Sequence, residues 1–206
     1  EKLQAAYAAY NALTEEQKAK ITGAEKLDNL IAFFAGKTNA LATINDVTYL
    51  DENGSEQTAD NVTVVDSSMT EWQGGWYVVN SNITIDNRVT VSGDVHLILA
   101  DGAKLTANRG VQVPYPKDLT IYGQSAGSGK LEATATVESN IHCAAIGGST
   151  NFQNMDVSYC GSVTINGGTV TARGAEMSAG IGGGPASGAD IVINGGTVNA
   201  TGGVNG

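Results

Sequence analysis

Gly161-Ser-Val-Thr-Ile-Asn-Gly-Gly-Thr-Val-Thr-Ala172 returns as Ala189-Asp-Ile-Val-Ile-Asn-Gly-Gly-Thr-Val-Asn-Ala200. Ile165 and Ile193 hold the same place in the two copies, 28 residues apart. Between the copies lies Ser178-Ala-Gly-Ile-Gly-Gly183, which itself has an earlier version in Ala144-Ala-Ile-Gly-Gly148. Self-similarity at a fixed period of roughly 20 to 50 residues is the mark of stacked repeats, in which each unit buries its apolar face only against its neighbours.

Working outward, the short strands fall into three columns. The first holds Trp76–Val79, His96–Leu99, Leu119–Tyr122, Val163–Ile165 and Ile191–Ile193. The second holds Asn82–Ile85, Lys104–Ala107, Lys130–Ala133, Thr169–Ala172 and Thr197–Ala200. The third holds Arg88–Val91, Gly110–Val113, Ala144–Gly147 and Ala179–Gly182. Leu97 to Leu119 spans 22 residues and Val163 to Ile191 spans 28, whereas Leu119 to Val163 takes 44 because that coil carries long loops. This pattern predicts a mainly β protein: a right-handed parallel β-helix of about five three-strand coils. A β-sandwich is also rich in short strands and glycine, but it does not require one phrase at one offset.

Alternation along each strand predicts that Leu97, Leu99, Leu105, Ala107, Val163, Ile165, Val170 and Ala172 face the axis. Gly102, Gly168 and Gly196 follow first-column strands, where the chain turns sharply. Asn166 above Asn194 predicts an amide ladder.

The remaining chain divides at composition shifts. Residues 1–38 read as a helical module. Leu3, Tyr7, Tyr10 and Leu13 lie at helical spacing, Thr14-Glu-Glu-Gln17 forms a capping box, and Gly23 and Gly36 act as stops. Residues 39–75 read as a β-hairpin and N-terminal cap. Val47–Leu50 and Val62–Val65 are its expected strands, with Asp51-Glu-Asn-Gly54 inside the connection. Trp72 or Trp76 is expected to cover the first coil. Residues 76–206 are the repeats. Both ends read as interior to a longer chain, since Glu1 opens within a helical pattern and Gly206 stops mid-repeat.

Composition excludes several classes of function. Of the 206 residues, 11 are Lys or Arg and 21 are Asp or Glu, a net charge of −10, so nucleic acid is not an expected partner. No apolar run approaches the ~20 residues of a membrane-spanning helix, and direct membrane insertion is not expected. Of 27 glycines, 16 lie between Gly147 and Gly206, which concentrates tight corners in the later coils.

Several phrases also resemble a known family. They are Trp76-Tyr-Val-Val79, Val91-Ser-Gly-Asp-Val-His-Leu-Ile-Leu-Ala-Asp-Gly-Ala-Lys-Leu-Thr-Ala107, Leu119-Thr-Ile-Tyr-Gly-Gln124 and Gly129-Lys-Leu131, with the paired Ile-Asn-Gly-Gly-Thr-Val units. Together they resemble β-solenoid repeat surface proteins of Gram-positive gut bacteria (Firmicutes). Ala8-Ala-Tyr-Asn-Ala-Leu-Thr-Glu-Glu-Gln-Lys18 resembles the small helical modules that precede such repeats. The resemblance implies a secreted, wall- or surface-associated, extracellular module, and a monomer is expected. It carries no catalytic residues over to this chain. The leading function is a non-catalytic module, adhesive and glycan-binding or stalk-like, with glycans or host or bacterial surface proteins as partners. The alternative is a polysaccharide lyase or glycoside hydrolase on the same scaffold.

Several motifs imitate functional signatures without meeting their spacing. Leu119 to Lys130 imitates a phosphate loop, but Gln124 stands where glycine is required and Leu131 where Ser or Thr is required. Gly180-Ile-Gly-Gly-Gly184 fails as a dinucleotide fingerprint because no helix follows it. Asp51, Glu52, Glu56 and Asp60 lack calcium-loop spacing. Glycoside hydrolysis needs two carboxyls a few Å apart. Asp94 and Asp118, before first-column strands on consecutive coils, are the nearest approach. Glu132 is expected between Thr106 and Thr171. His96 and His142 lack ligand-spaced partners, and neither metal nor cofactor is expected.

The candidate ligand-binding residues are aromatic: Tyr115 in Val113-Pro-Tyr-Pro-Lys117, Phe152 and Tyr159 in the insertion before Val163, and Trp72. Stacking should bring Tyr115 to that insertion, because both turn the same corner on consecutive coils. Pro114 and Pro116 stiffen the backbone there. Cys143 is expected on the outer face of its strand, opposite in sense to Ile146. The insertion then either folds back to form a Cys143–Cys160 disulfide or leaves two unrelated thiols.

Overall fold

A computed structural model describes residues 41–206. The expected helical module at 1–38 lies outside the described residues. Three sheets share one axis. The first has seven strands, in the order Thr43–Ile44, Val62–Val64, Gly75–Val79, Val95–Leu99, Asp118–Gly123, Ser162–Ile165 and Asp190–Ile193. The second has five: Ile83–Ile85, Lys104–Ala107, Lys130–Thr134, Thr169–Arg173 and Thr197–Thr201. The third has five short ones: Glu71–Trp72, Val89–Val91, Val111–Gln112, Ile146–Gly147 and Ile181–Gly182. Every pairing within these sheets is parallel except that of Thr43–Ile44 with Val62–Val64. The chain visits the sheets in turn, which is a parallel β-helix.

Register follows the repeated phrase. Tyr77, Leu97, Ile121, Ile165 and Ile193 form one column across the first sheet. Leu105, Leu131, Val170 and Val198 form another in the second. All eight residues expected to face the axis are fully buried. Outward partners such as Thr106, Thr120, Thr164 and Thr171 are half-buried, the two-sided pattern a solenoid wall requires. Gly102, Gly168 and Gly196 have φ of 79°, 76° and 81°, so each turn uses the left-handed region that glycine enters freely. Asn194 Nδ2 donates to Asn166 Oδ1 at 2.8 Å, which forms the expected ladder step.

The N-terminal reading needs correction. Val47–Leu50 pairs antiparallel with Glu56–Ala59, not with Val62–Val65. The turn itself is as read: Asp51 Oδ1 accepts the N–H groups of Asn53 and Ser55, both at 2.9 Å, and Gly54 has φ 75°. The strong alternation of Val62–Val64 instead serves the first sheet, where Thr63 and Val64 pair with Tyr77 and Val78. Residues 42–75 therefore contribute to the same compact unit as the repeats.

The hairpin does not close the axis. It covers the outer face of the first sheet, where Val47, Ala59 and Val62 pack with Val78, Ile98 and Tyr122. That cover explains why Ile98, on the outward side between Leu97 and Leu99, is fully buried. At the N-terminal end of the axis the buried residues are Val65, Met69 and Trp72.

Candidate functional site

The third-to-first corner is built as stacking predicts. Pro114 and Cys160 form an antiparallel bridge, and the Tyr115 N–H donates to the Tyr159 carbonyl at 2.9 Å. The Gly161 N–H donates to Val113 O at 2.8 Å, and Gln112 Nε2 donates to Ser158 Oγ at 3.1 Å. Two loops 44 residues apart in sequence are thereby locked backbone to backbone. Their tyrosines stand out into solvent, Tyr115 at 74% and Tyr159 at 57% exposure. Each offers a flat apolar face and a hydroxyl on a braced loop.

The other two aromatics lie elsewhere. The insertion folds as a three-stranded antiparallel sheet of Ile141–Cys143, Ser149–Asn151 and Asp156–Ser158. Phe152 follows its middle strand and packs edge-on against His142, with ring centroids 4.9 Å apart. Trp72 is 0% exposed, so the expectation of a ligand platform is wrong. It pairs in register with Val91, an inward position, and its ring lies 5.8 Å from Tyr77 inside the solenoid.

Sequence reasoning missed a second aromatic group on the outer face of the first sheet. Trp76 stacks on His96 at 4.5 Å, and Tyr49 of the hairpin lies 4.7 Å from Trp76 and 4.8 Å from Tyr122. His96 Nδ1 and the Tyr122 hydroxyl are hydrogen-bonded at 3.1 Å. Burial lowers the His96 pKa and raises that of Tyr122, so the neutral forms are favoured. The Trp76–His96 step was legible, because they are register partners. The arrival of Tyr49 from the hairpin was not. The group fastens the hairpin to the sheet.

Acidic residues are spread as read. Glu132 sits in register between Thr106 and Thr171. Its carboxylate pairs with Lys104 Nζ at 3.1 Å, both side chains being substantially exposed, so the pair contributes little to stability. Asp118 follows Asp94 by one coil, and the next coil places Ser162 in register with Asp118.

Cys143 and Cys160 are free thiols, and both are buried in the main core. The outward placement expected for Cys143 fails because alternation was counted through a bend. Cys143 ends an antiparallel strand, and a new strand begins at Ile146. Burial pushes the Cys160 thiol up to about 11, against the opposing hydrogen bond from the Gly148 backbone. At pH 8 only about one part in a thousand of such a group is thiolate. A thiol-reactive chromophore should therefore label the folded protein slowly at pH 8 and titrate two thiols after denaturation without reductant. Fewer than two would revive the disulfide.

A cleft of about 540 Å³ opens between the hairpin tip and the corners that follow the first sheet. Glu52 and Asn53 of the hairpin tip line it together with Ser125 and the corner residues Asn166, Asn194 and Thr197. Its walls are fixed by a side-chain network. Gln124 Oε1 accepts the Asp101 N–H at 2.9 Å, and its Nε2 donates to the Thr48 carbonyl at 2.9 Å. Asp101 in turn accepts the N–H groups of Ala126 and Ser128, both at 2.9 Å.

Among known families, a beta helix repeat model matches residues 163–185 and again residues 191–206, the two copies of the repeated phrase. No curated protein and no solved structure matches the chain. With three parallel sheets and this repeat, the chain is a β-solenoid repeat protein.

Proposed function

We propose that this solenoid is a non-catalytic, extracellular module of a bacterial cell-surface protein, and that it binds glycan through the Tyr115–Tyr159 corner. Beta helix repeats occur in surface proteins and in polysaccharide-degrading enzymes alike. The observation that carries the binding reading is the pair of exposed tyrosines on loops tied by the 2.9 Å hydrogen bond from Tyr115 N–H to Tyr159 O. Loops tied backbone to backbone lose little main-chain freedom when a sugar docks on their side chains. Glycoside hydrolysis on the same scaffold needs a close carboxyl pair; threonines flank Glu132 on both neighbouring coils, which leaves Asp94 and Asp118, exposed on consecutive coils, as the pair on which that second reading would rest. The proposed setting is the cell wall or cell surface, with the module acting as a monomer.

A glycan-array or bacterial-adhesion screen tests this. Tyr115→Ala and Tyr159→Ala should each weaken retention about fivefold or more, the loss of ~1 kcal/mol of aromatic contact. Binding should change little with salt, because the two contact groups are uncharged. A glycan held as tightly by both variants as by the parent chain would remove the corner from consideration.

A further inference from the structure

We infer that the cleft beneath the hairpin tip is a separate carbohydrate site, one that takes a neutral, linear oligosaccharide laid along the solenoid axis. The inference does not rest on the tyrosine corner, since no residue of that corner lines the cleft. At about 540 Å³ it lies within the ordinary range of small-molecule sites. Its walls are preorganised. Besides the two turn N–H groups, Asp51 accepts Gln57 Nε2 at 3.1 Å, which holds the hairpin tip. Asp101 also accepts the Ser128 hydroxyl at 3.2 Å, and Gln124 joins that loop to the hairpin at Thr48.

The stacked asparagines that line the cleft name the ligand chemistry. The Asn194-to-Asn166 bond uses the amide nitrogen of one residue and the amide oxygen of the other. The Asn166 NH₂ and the Asn194 carbonyl are left to serve a ligand, one as donor and one as acceptor. A sugar hydroxyl answers both, because it donates and accepts at once. Both asparagines are followed by Gly-Gly, which leaves no side chain between a ligand and the backbone. The Asn-Gly-Gly corner recurs on successive coils, spaced about 4.8 Å along the axis. Such a series suits a ligand that itself repeats in a line. Charge selects further. Among the residues lining the cleft none is Lys or Arg, whereas Asp51 and Glu52 stand at the hairpin tip. Uronic-acid or sulfated chains would meet carboxylates without a counter-charge, so a neutral chain is favoured.

The test uses the 206-residue chain and backbone and side-chain amide NMR. The probes are the neutral hexasaccharides of β-1,4-glucose, α-1,4-glucose and β-1,4-mannose, each at about 10 mM, with hexagalacturonate as the anionic counterpart. At least one neutral probe should shift the Asn166 and Asn194 side-chain amides and the Gly127 N–H. Asn194→Ala should weaken that binding about fivefold, one neutral hydrogen bond, with the melting temperature checked in parallel. Ser125→Trp, an exposed loop position, should fill the cleft and abolish binding without unfolding the chain. Tyr115→Ala and Tyr159→Ala should leave it unchanged, which separates this site from the corner. The inference is overturned if no neutral hexasaccharide moves those amides. It is equally overturned if hexagalacturonate binds as well, or if Ser125→Trp binds like the parent chain.

Discussion

Gly147→Ala should destabilise the solenoid by about 3 kcal/mol or more, whereas Gly102→Ala should cost about 1 kcal/mol. Both glycines have positive φ, 136° and 79°, so both substitutions carry backbone strain. They differ in what a methyl group would meet. At Gly102 nothing lies within 4 Å of the new carbon. At Gly147 it would overlap the carbonyl oxygen of Gly182 on the next coil and stand 2.9 Å from Cys160 Sγ. Those neighbours cannot yield cheaply. Gly182 O accepts the Gly148 N–H at 2.8 Å, and Gly147 and Gly182 are register partners in the third sheet. Relief requires the coils to part, which breaks the ladder that defines the fold. Urea unfolding followed by far-UV circular dichroism reads both variants. Equal midpoints would mean that the third sheet does not bring its glycines this close.

Arg88→Met should cost about 3 kcal/mol, the second large effect. The guanidinium spans three coils: Nη1 donates to Arg109 O at 2.8 Å, and Nη2 to Ala144 O at 3.1 Å and Gly147 O at 3.4 Å. Methionine fills the volume but leaves the carbonyls of Arg109 and buried Ala144 without that donor, while Gly147 O keeps the Val113 N–H at 3.0 Å. Arg88→Lys should recover only part of the loss, because a single ammonium cannot match a planar fork that reaches several oxygens. A chemical readout distinguishes this role from packing alone. Burial pushes the Cys143 thiol up, and the charge of Arg88 pulls it back down. Removing that charge should raise the Cys143 pKa further and slow its alkylation at a given pH, while Arg88→Lys keeps the rate nearer to that of the parent chain. Faster alkylation in Arg88→Met under native conditions would indicate local opening instead. Effects at Arg88 and Gly147 should not add, since they share a carbonyl.

What the sequence determined by itself is everything governed by the repeat. The phrase beginning at Gly161 and again at Ala189 set the parallel stacking, the inward column through Ile165 and Ile193, the Asn166–Asn194 ladder and the glycine turns. It also brought Tyr115 to Tyr159, because two loops that turn one corner on consecutive coils must meet. In each case the spatial neighbour lies one coil away at a known offset, so counting residues locates it. Tertiary structure alone decided the rest. Strand alternation could not show that Val62–Val64 would leave the hairpin for the first sheet, since either partner satisfies the same pattern. It misplaced Cys143 because a bend at Ala144–Ala145 resets the alternation, and it left Trp72 open between a cover for the first coil and a ligand platform, a choice made by the register with Val91 that turns the ring inward. The cleft was invisible for the same reason as the Tyr49 contact with Trp76. Both are made by the hairpin, a segment outside the repeat, whose position is fixed by the apolar outer face of Val78, Ile98 and Tyr122 rather than by any period in the chain.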